Sequence, residues 1–278
     1  MIDIIIDTLL DTLKIIPFLF FTFLLLEYIE HKIDNKKIIT SSKKIGPLLG
    51  SIIGIFPQCG FSASATNLYA TRIISLGTLI SVYLSTSDEM LPILLANKVD
   101  MNIIIKILLL KFIIAMICGF LIDLIFRRNE KIKIDALCEH EHCHCEHNIF
   151  LSSIKHTISI SIFILIFSFI INLIFEYLGQ NFLANIFMKG TIFSHLLSSL
   201  VGLIPNCGSS IMITELYLNN TITFGACMSG LLTGCGIATI ILFKTNNVKD
   251  SMKILTITYS LGVISGIIID LLSKIPMI

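Results

Sequence analysis

The sequence predicts an all-α, polytopic membrane protein built as two inverted five-helix repeats with broken helices. Three observations predict it. Of the 278 residues, 55% are hydrophobic and only 14% charged, with a mean hydropathy of +0.90, whereas soluble domains carry about 25% charged residues. Leucine, isoleucine and phenylalanine occur in runs too long for strand alternation, which favours helices over a barrel. The second half of the chain repeats the first.

Charge narrows the function classes. The 20 basic residues nearly cancel the 19 acidic ones, leaving a net charge of +1; this argues against a nucleic-acid binder or any protein acting through a large single-sign field. A crossing helix needs about 20 residues, so the chain has room for roughly ten short crossings and little else. The N-terminus, MIDIIIDTLLDTLK, places Asp3, Asp7 and Asp11 ahead of Lys14. A secretory signal needs a positive n-region, so this segment reads as the start of the first spanning helix.

Apolar segments fall at 4–29, 45–96, 103–126, 156–178, 192–243 and 252–275. The polar stretch 127–155 divides a first repeat, 1–126, from a second, 156–278. Four anchors match in order. Glu27-Tyr28 recurs as Glu176-Tyr177, PQCG at 57–60 as PNCG at 205–208, NLYATRIISLG at 67–77 as ELYLNNTITFG at 215–225, and KILLLKFIIAMICGFLIDL at 106–124 as KILTITYSLGVISGIIIDL at 253–271. Such internal similarity in a membrane chain marks structural repeats.

Basic residues decide the relative orientation, because they gather in cytoplasmic loops. With five crossings per half and the N-terminus outside, the inside loops hold Lys32, Lys36, Lys37, Lys43, Lys44, Arg127, Arg128, Lys131, Lys133, Lys155, Lys244, Lys249 and Lys253. Outside remain Lys98, Lys189 and Lys274. An even number of crossings would put equal numbers on each face. The odd count makes the halves inverted and the central linker cytoplasmic.

The segments 45–96 and 192–243 must then hold an odd number of passes in little length, which requires broken helices. Pro57 and Gly60, and Pro205 and Gly208, supply the breaks: proline removes a backbone donor and glycine permits unusual dihedrals. Broken helices at matching positions of two halves point to a transport site near the midplane. Cys59 and Cys207 sit at the two breaks, where a thiolate would be a soft metal ligand and the following half-helix would favour negative charge. A small cysteine also packs well beside glycine. Gln58, Ser62 and Asn67, with Asn206, Ser209, Ser210 and Glu215, are expected to line the same cavity.

Asp88 and Glu89 are adjacent carboxylates inside an apolar segment. Charge at depth is costly and marks ion or proton pathways; the alternative is a helix cap or hairpin tip at the surface. Their repeat counterparts are Gly236 and Ile237, and Ser87 maps onto Cys235, so the expected site is asymmetric. Glu27, Glu176 and His195 sit at segment ends and read as interfacial, solvated groups. In the linker, CEHEHCHCEH carries Cys138, His140, His142, Cys143, His144, Cys145 and His147. Imidazole and thiolate favour zinc, copper and nickel, so this is a compositional metal tract for collecting cytosolic metal or sensing it. Free thiols there suit a reducing compartment, and the eight cysteines are not read as disulfides.

Across its whole length, on DTLLDTLKIIPFLFFTFLLLEYIEHK, GIFPQCGFSASATNLYATRIISLGTLI, VYLSTSDEMLPILL and GLIPNCGSS, the chain resembles the ten-helix heavy-metal exporter family. Members are described as arsenic efflux proteins or manganese transporters, distantly similar to organoarsenical permeases. The resemblance implies an inner-membrane exporter of two five-helix repeats and points to Cys59, Cys207, Asp88 and Glu89.

The expected function is a secondary permease that exports a heavy-metal or metalloid ion by alternating access. Its partners are the lipid bilayer, the ion and a coupling proton or ion, for which Asp88, Glu89 and Glu215 are candidate carriers. No Walker A sequence GxxxxGK[ST] is present, so no ATPase domain is expected, nor any catalytic residue or required cofactor. Two other classes compete: a membrane-embedded thiol redox enzyme, which needs Cys59 and Cys207 within about 7 Å between alpha carbons, and a metal-responsive sensor anchored by its helices.

Overall fold

A computed structural model describes residues 8–10, 12–13, 16–17, 19–21, 23–24, 36–56, 59–87, 90–126, 149–178 and 192–273. The described residues are helical with no strand. From residue 36 onward, the described helices in order are α1 (Lys36–Gly54), α2 (Cys59–Ala70), α3 (Leu76–Ser85), α4 (Met90–Ala96), α5 (Met101–Ile125), α6 (Ile149–Leu178), α7 (Ile192–Gly202), α8 (Cys207–Leu218), α9 (Phe224–Thr233), α10 (Ala238–Thr245) and α11 (Val248–Ser273). Among the described residues, four runs are long and apolar enough to cross a membrane: Leu76–Ala96, Met101–Ile125, Phe224–Thr245 and Val248–Ser273.

The described residues 55 and 56 that follow α1 are not helical, and residues 203–206 separate α7 from α8. A second pair of breaks divides the membrane-length runs. Thr86 and Ser87 follow α3, and Gly234 to Ile237 lie between α9 and α10.

Helix directions follow from the contacts. A Cβ built on Gly46 would meet Thr78, one on Gly50 would meet Thr78 and Val82, and one on Gly54 would meet Val82 and Ser85; α1 and α3 therefore run parallel. Helix α2 lies between them in sequence and runs back, joined to α3 by the turn 71–75 and tied by Thr66 Oγ1 to Tyr83 Oη at 2.7 Å. At 12 residues, α2 is about 18 Å long, well short of the roughly 30 Å hydrocarbon core. Helices α1 and α2 form a hairpin, the end of α1 lying level with the end of α3. Helix α8, also 12 residues, has the same limit.

The two stretches 36–126 and 192–273 build the same local devices. Helix α2 ends in a six-residue closure, Ile73 N–H donating to the Leu68 carbonyl at 3.0 Å, and α8 ends the same way with Thr221 to Leu216 at 2.9 Å; this is the Schellman pattern. The left-handed residues it needs are Arg72 (φ 62) and Asn220 (φ 56). Ser75 then caps α3 and Thr223 caps α9.

A carboxylate on the long helix secures each cap. Asp123 accepts from Gly77 N–H at 2.8 Å and Ser75 Oγ at 2.6 Å. Asp270 accepts from Gly225 N–H at 2.7 Å and from the Thr223 hydroxyl. Negative charge at a helix N-terminus is favourable. Close approach makes the geometry possible: a Cβ on Gly77 would fall 2.1 Å from the Gly119 carbonyl oxygen, and one on Gly225 2.3 Å from that of Gly266. Small residues at crossings are how helices pack in lipid, where apolar burial gives little drive.

The two stretches also pack reciprocally, α2 against α10 and α8 against α4. Arg72, in the turn before α3, meets Asp250 near the start of α11 at 3.2 Å. Lys253 Nζ lies 4.3 Å from the ring centre of Phe126, at the end of α5.

Candidate functional site

One small pocket forms where the breaks converge. Its lining comprises Thr86 and Ser87 from the α3 break with Met90 of α4; Gly234 and Gly236 from the α9 break with Leu231; Asn206, Ser209 and Ser210 at the start of α8; and Lys111 of α5. The accessible space is about 10 Å³, enough for one water molecule.

Lys111 is the unexpected member. It is 0% exposed, near the middle of a 25-residue apolar helix. Placing a lysine at the centre of a spanning helix costs about 2.5–3.5 kcal/mol on insertion scales. Hydrogen bonds from a charged donor return about 1.5–3 kcal/mol each, so two suffice to offset it. The ammonium donates to the Thr86 carbonyl and to the Leu231 carbonyl at 3.0 Å. Thr86 is the C-cap of α3 and Leu231 lies in the last turn of α9, where carbonyls lack intrahelical donors and the helix dipole is negative. The sequence carried a signal for it: of the two lysines in this apolar run, Lys106 recurs as Lys253 in the repeat, whereas Lys111 aligns with an uncharged Thr258.

Helix α8 presents its N-terminus to the same pocket. Asn206 caps it, accepting from Gly208 N–H at 3.0 Å, and Ser209 Oγ donates to the Asn206 carbonyl at 2.8 Å. Pro205 lies in the break that precedes this cap and, having no N–H, adds no donor there.

The other expected residues divide. Glu215 is exposed and outside the pocket lining, since five residues beyond Ser210 is about 140° around the helix. Cys235 is 0% exposed between two pocket glycines, but its thiol donates to the Thr233 carbonyl at 3.3 Å and its side chain packs in the cluster of Tyr69, Leu79, Tyr83 and Leu242. Cys59 packs against a cluster containing Ala63, Ile160, Ile164, Ile237 and Ile241. Gly60 is buried in the first turn of α2, and Ser62 is buried and donates to the Cys59 carbonyl at 2.9 Å. Pro57, Gln58, Asp88, Glu89 and the tract from Cys138 to His147 lie outside the described residues, as does the side chain of Cys207. Among the described residues no three His, Cys, Asp or Glu side chains gather as a metal set.

One polar group behaves unlike the sequence reading. His195 is not solvated: it is 5% exposed and its Nε2 stands 3.2 Å from Asp270 Oδ2. The packing of α7 on α9 and α11 encloses it. Asn67 is 0% exposed, and among the described residues neither amide atom has a hydrogen-bond partner. It lies four residues beyond Ala63 and eight beyond Cys59, on the same stripe of α2.

No curated protein matches the chain, and no solved structure matches it. A family match covers residues 1–177 and 146–277, to ArsP_2, described as "Putative, 10TM heavy-metal exporter". With apolar membrane-length helices, breaks that converge on a polar pocket and a match spanning its length, the chain belongs to this heavy-metal exporter family.

Proposed function

We propose that the protein is a secondary transporter that exports a heavy-metal or metalloid ion, such as arsenic or manganese, by alternating access. The observation that carries this is the pocket at Lys111, where breaks from both halves of the chain meet around a buried cation. Irregular backbone at membrane depth is tolerated where it lines a cavity, and transporters bind their ions at such discontinuities. Asp88 and Glu89 directly follow Ser87, a lining residue, and are the proposed carboxylates of the pathway.

In this reading the halves are inverted and rock against one another. Two contacts support the inversion. Lys253 near the start of α11 meets Phe126 at the end of α5, although α5 and α11 are repeat equivalents. Arg72, in the turn before α3, meets Asp250 beside the α10–α11 connection, whereas the equivalent α4–α5 connection in the first half lies at the far end of α5. With hairpins that enter and return, each half keeps an odd number of crossings, so the basic-residue argument holds. The N-terminus is then outside, and the linker, with its metal tract, is in the cytoplasm beneath an inner membrane.

The test is reconstitution. Purified protein in liposomes should move at least one of manganese, zinc, copper and arsenite down an imposed ion gradient, and gene deletion should sensitise cells to the same ion. Failure of all four in both assays removes the reading.

A further inference from the structure

Lys111, we propose, is a tethered cation: its ammonium holds the place that a transported divalent metal cation takes during the cycle. The inference rests on the transport reading and adds to it a substrate class and a residue that competes with substrate.

The ammonium is held by main-chain carbonyls at the C-terminal ends of two broken helices, Thr86 after α3 and Leu231 in α9, one from each half. Exposed carbonyls at half-helix C-termini are the groups with which transporters coordinate cations, and carbonyl and hydroxyl oxygens suit hard divalent ions. Ser87, Ser209 and Ser210 line the adjoining space, which has room for one small occupant. The fold does not demand a lysine there. The equivalent Thr258 in α11 is 0% exposed and satisfies its hydroxyl locally, donating to the Ile254 carbonyl at 2.9 Å.

Two cations cannot share one pair of carbonyls, because their mutual repulsion is strong where water is excluded. Metal entry therefore displaces the ammonium. That displacement also removes hydrogen bonds linking the break in one half to the break in the other, so arrival of substrate frees the halves to move. A metalloid oxyacid would act oppositely, since the ammonium would serve it as a donor.

The experiment uses purified full-length protein with Mn²⁺ and Zn²⁺ as probes, in wild type, Lys111→Met and Lys111→Arg. If the ammonium occupies the site about 90% of the time, its removal raises apparent affinity about tenfold. Lys111→Met should bind the metal that much more tightly and show a larger metal-induced rise in Tm, and Lys111→Arg should bind no more tightly than wild type. Should Lys111→Met fail to fold, wild-type protein gives the answer: saturating metal should increase acylation of Lys111 by a small amine reagent, read by mass spectrometry. Unchanged or weaker metal binding in folded Lys111→Met, or unchanged labelling, overturns the proposal. So does a wild type that transports arsenite and binds neither metal, an outcome that leaves the transport reading intact.

Discussion

Arg72 and Asp250 meet at 3.2 Å, joining the left-handed turn before α3 to the first turn of α11. As a surface pair it contributes only about 0–1 kcal/mol. Its value is topological, since it places two loops from different halves at one end of the helix bundle. The repeat equivalents of this turn and this connection are Asn220 and the turn at Lys98. In the inverted arrangement they belong at the opposite end. Single cysteines at 72 and 250 should react with a membrane-impermeant reagent from one side, and cysteines at 98 and 220 from the other. Labelling of 72 and 220 from the same side would contradict inversion.

Asp123 and Asp270 each hold a helix N-terminus through a backbone N–H and a hydroxyl. Charge-assisted hydrogen bonds of this type contribute about 1.5–3 kcal/mol. Asp123→Asn and Asp270→Asn should each lower thermal stability. Asp270→Asn should cost more, since it also removes the partner of His195. Equal and negligible losses in Tm would show that the caps form without the carboxylates.

The glycine crossings allow no side chain. A Cβ at position 77 or 225 would press on a carbonyl oxygen of the long helix and on the carboxyl carbon, 2.6 Å from it in the first half and 2.5 Å in the second. Overpacking costs about 1–3 kcal/mol. Gly77→Ala and Gly225→Ala should destabilise the protein by that order in a detergent melt, whereas Gly208→Ala, whose Cβ would meet nothing nearer than 3.5 Å, should change it little.

Asn67 presents the opposite case, a buried amide with no partner among the described residues. Leaving such a group unsatisfied costs about 1–3 kcal/mol, so Asn67→Leu should raise Tm. On the transport reading it should also slow flux, because the amide would line the path from the hairpin tip. A gain in stability with full flux would make Asn67 a packing residue only.

Much of this organisation is legible in the sequence because it is written in local chemistry. Proline and glycine mark where α1 and α7 end and where α2 and α8 begin, and repeated strings at a nearly constant offset foretell the matching caps at Ser75 and Thr223. The hairpin form of α1 and α2 was not legible, since hydropathy reports apolar length and not direction. The role of Lys111 is illegible for a related reason. A charge in an apolar run gains meaning only when carbonyls from distant breaks are seen to hold it. Glu215 and Asn67 occupy equivalent positions, yet the first is exposed and the second enclosed. The unlike packing around α2 and α8 decides this, and periodicity does not carry it.

The linker tract from Cys138 to His147 is separable from the pocket in this account. Deleting residues 138–147 should reduce metal capture at low concentration while leaving residual flux at high concentration. Loss of all flux in a folded deletion variant would make the tract part of the transport path.

The central claim is that a metal or metalloid ion passes through the pocket between the helix breaks. Flux in proteoliposomes, compared between wild type and Ser210→Leu, tests it most directly, because leucine at a lining position would fill a space with room for one water. The account predicts gradient-driven flux of at least one of manganese, zinc, copper and arsenite in wild type, and its abolition in a Ser210→Leu protein that melts normally. Equal flux in the two proteins would contradict it.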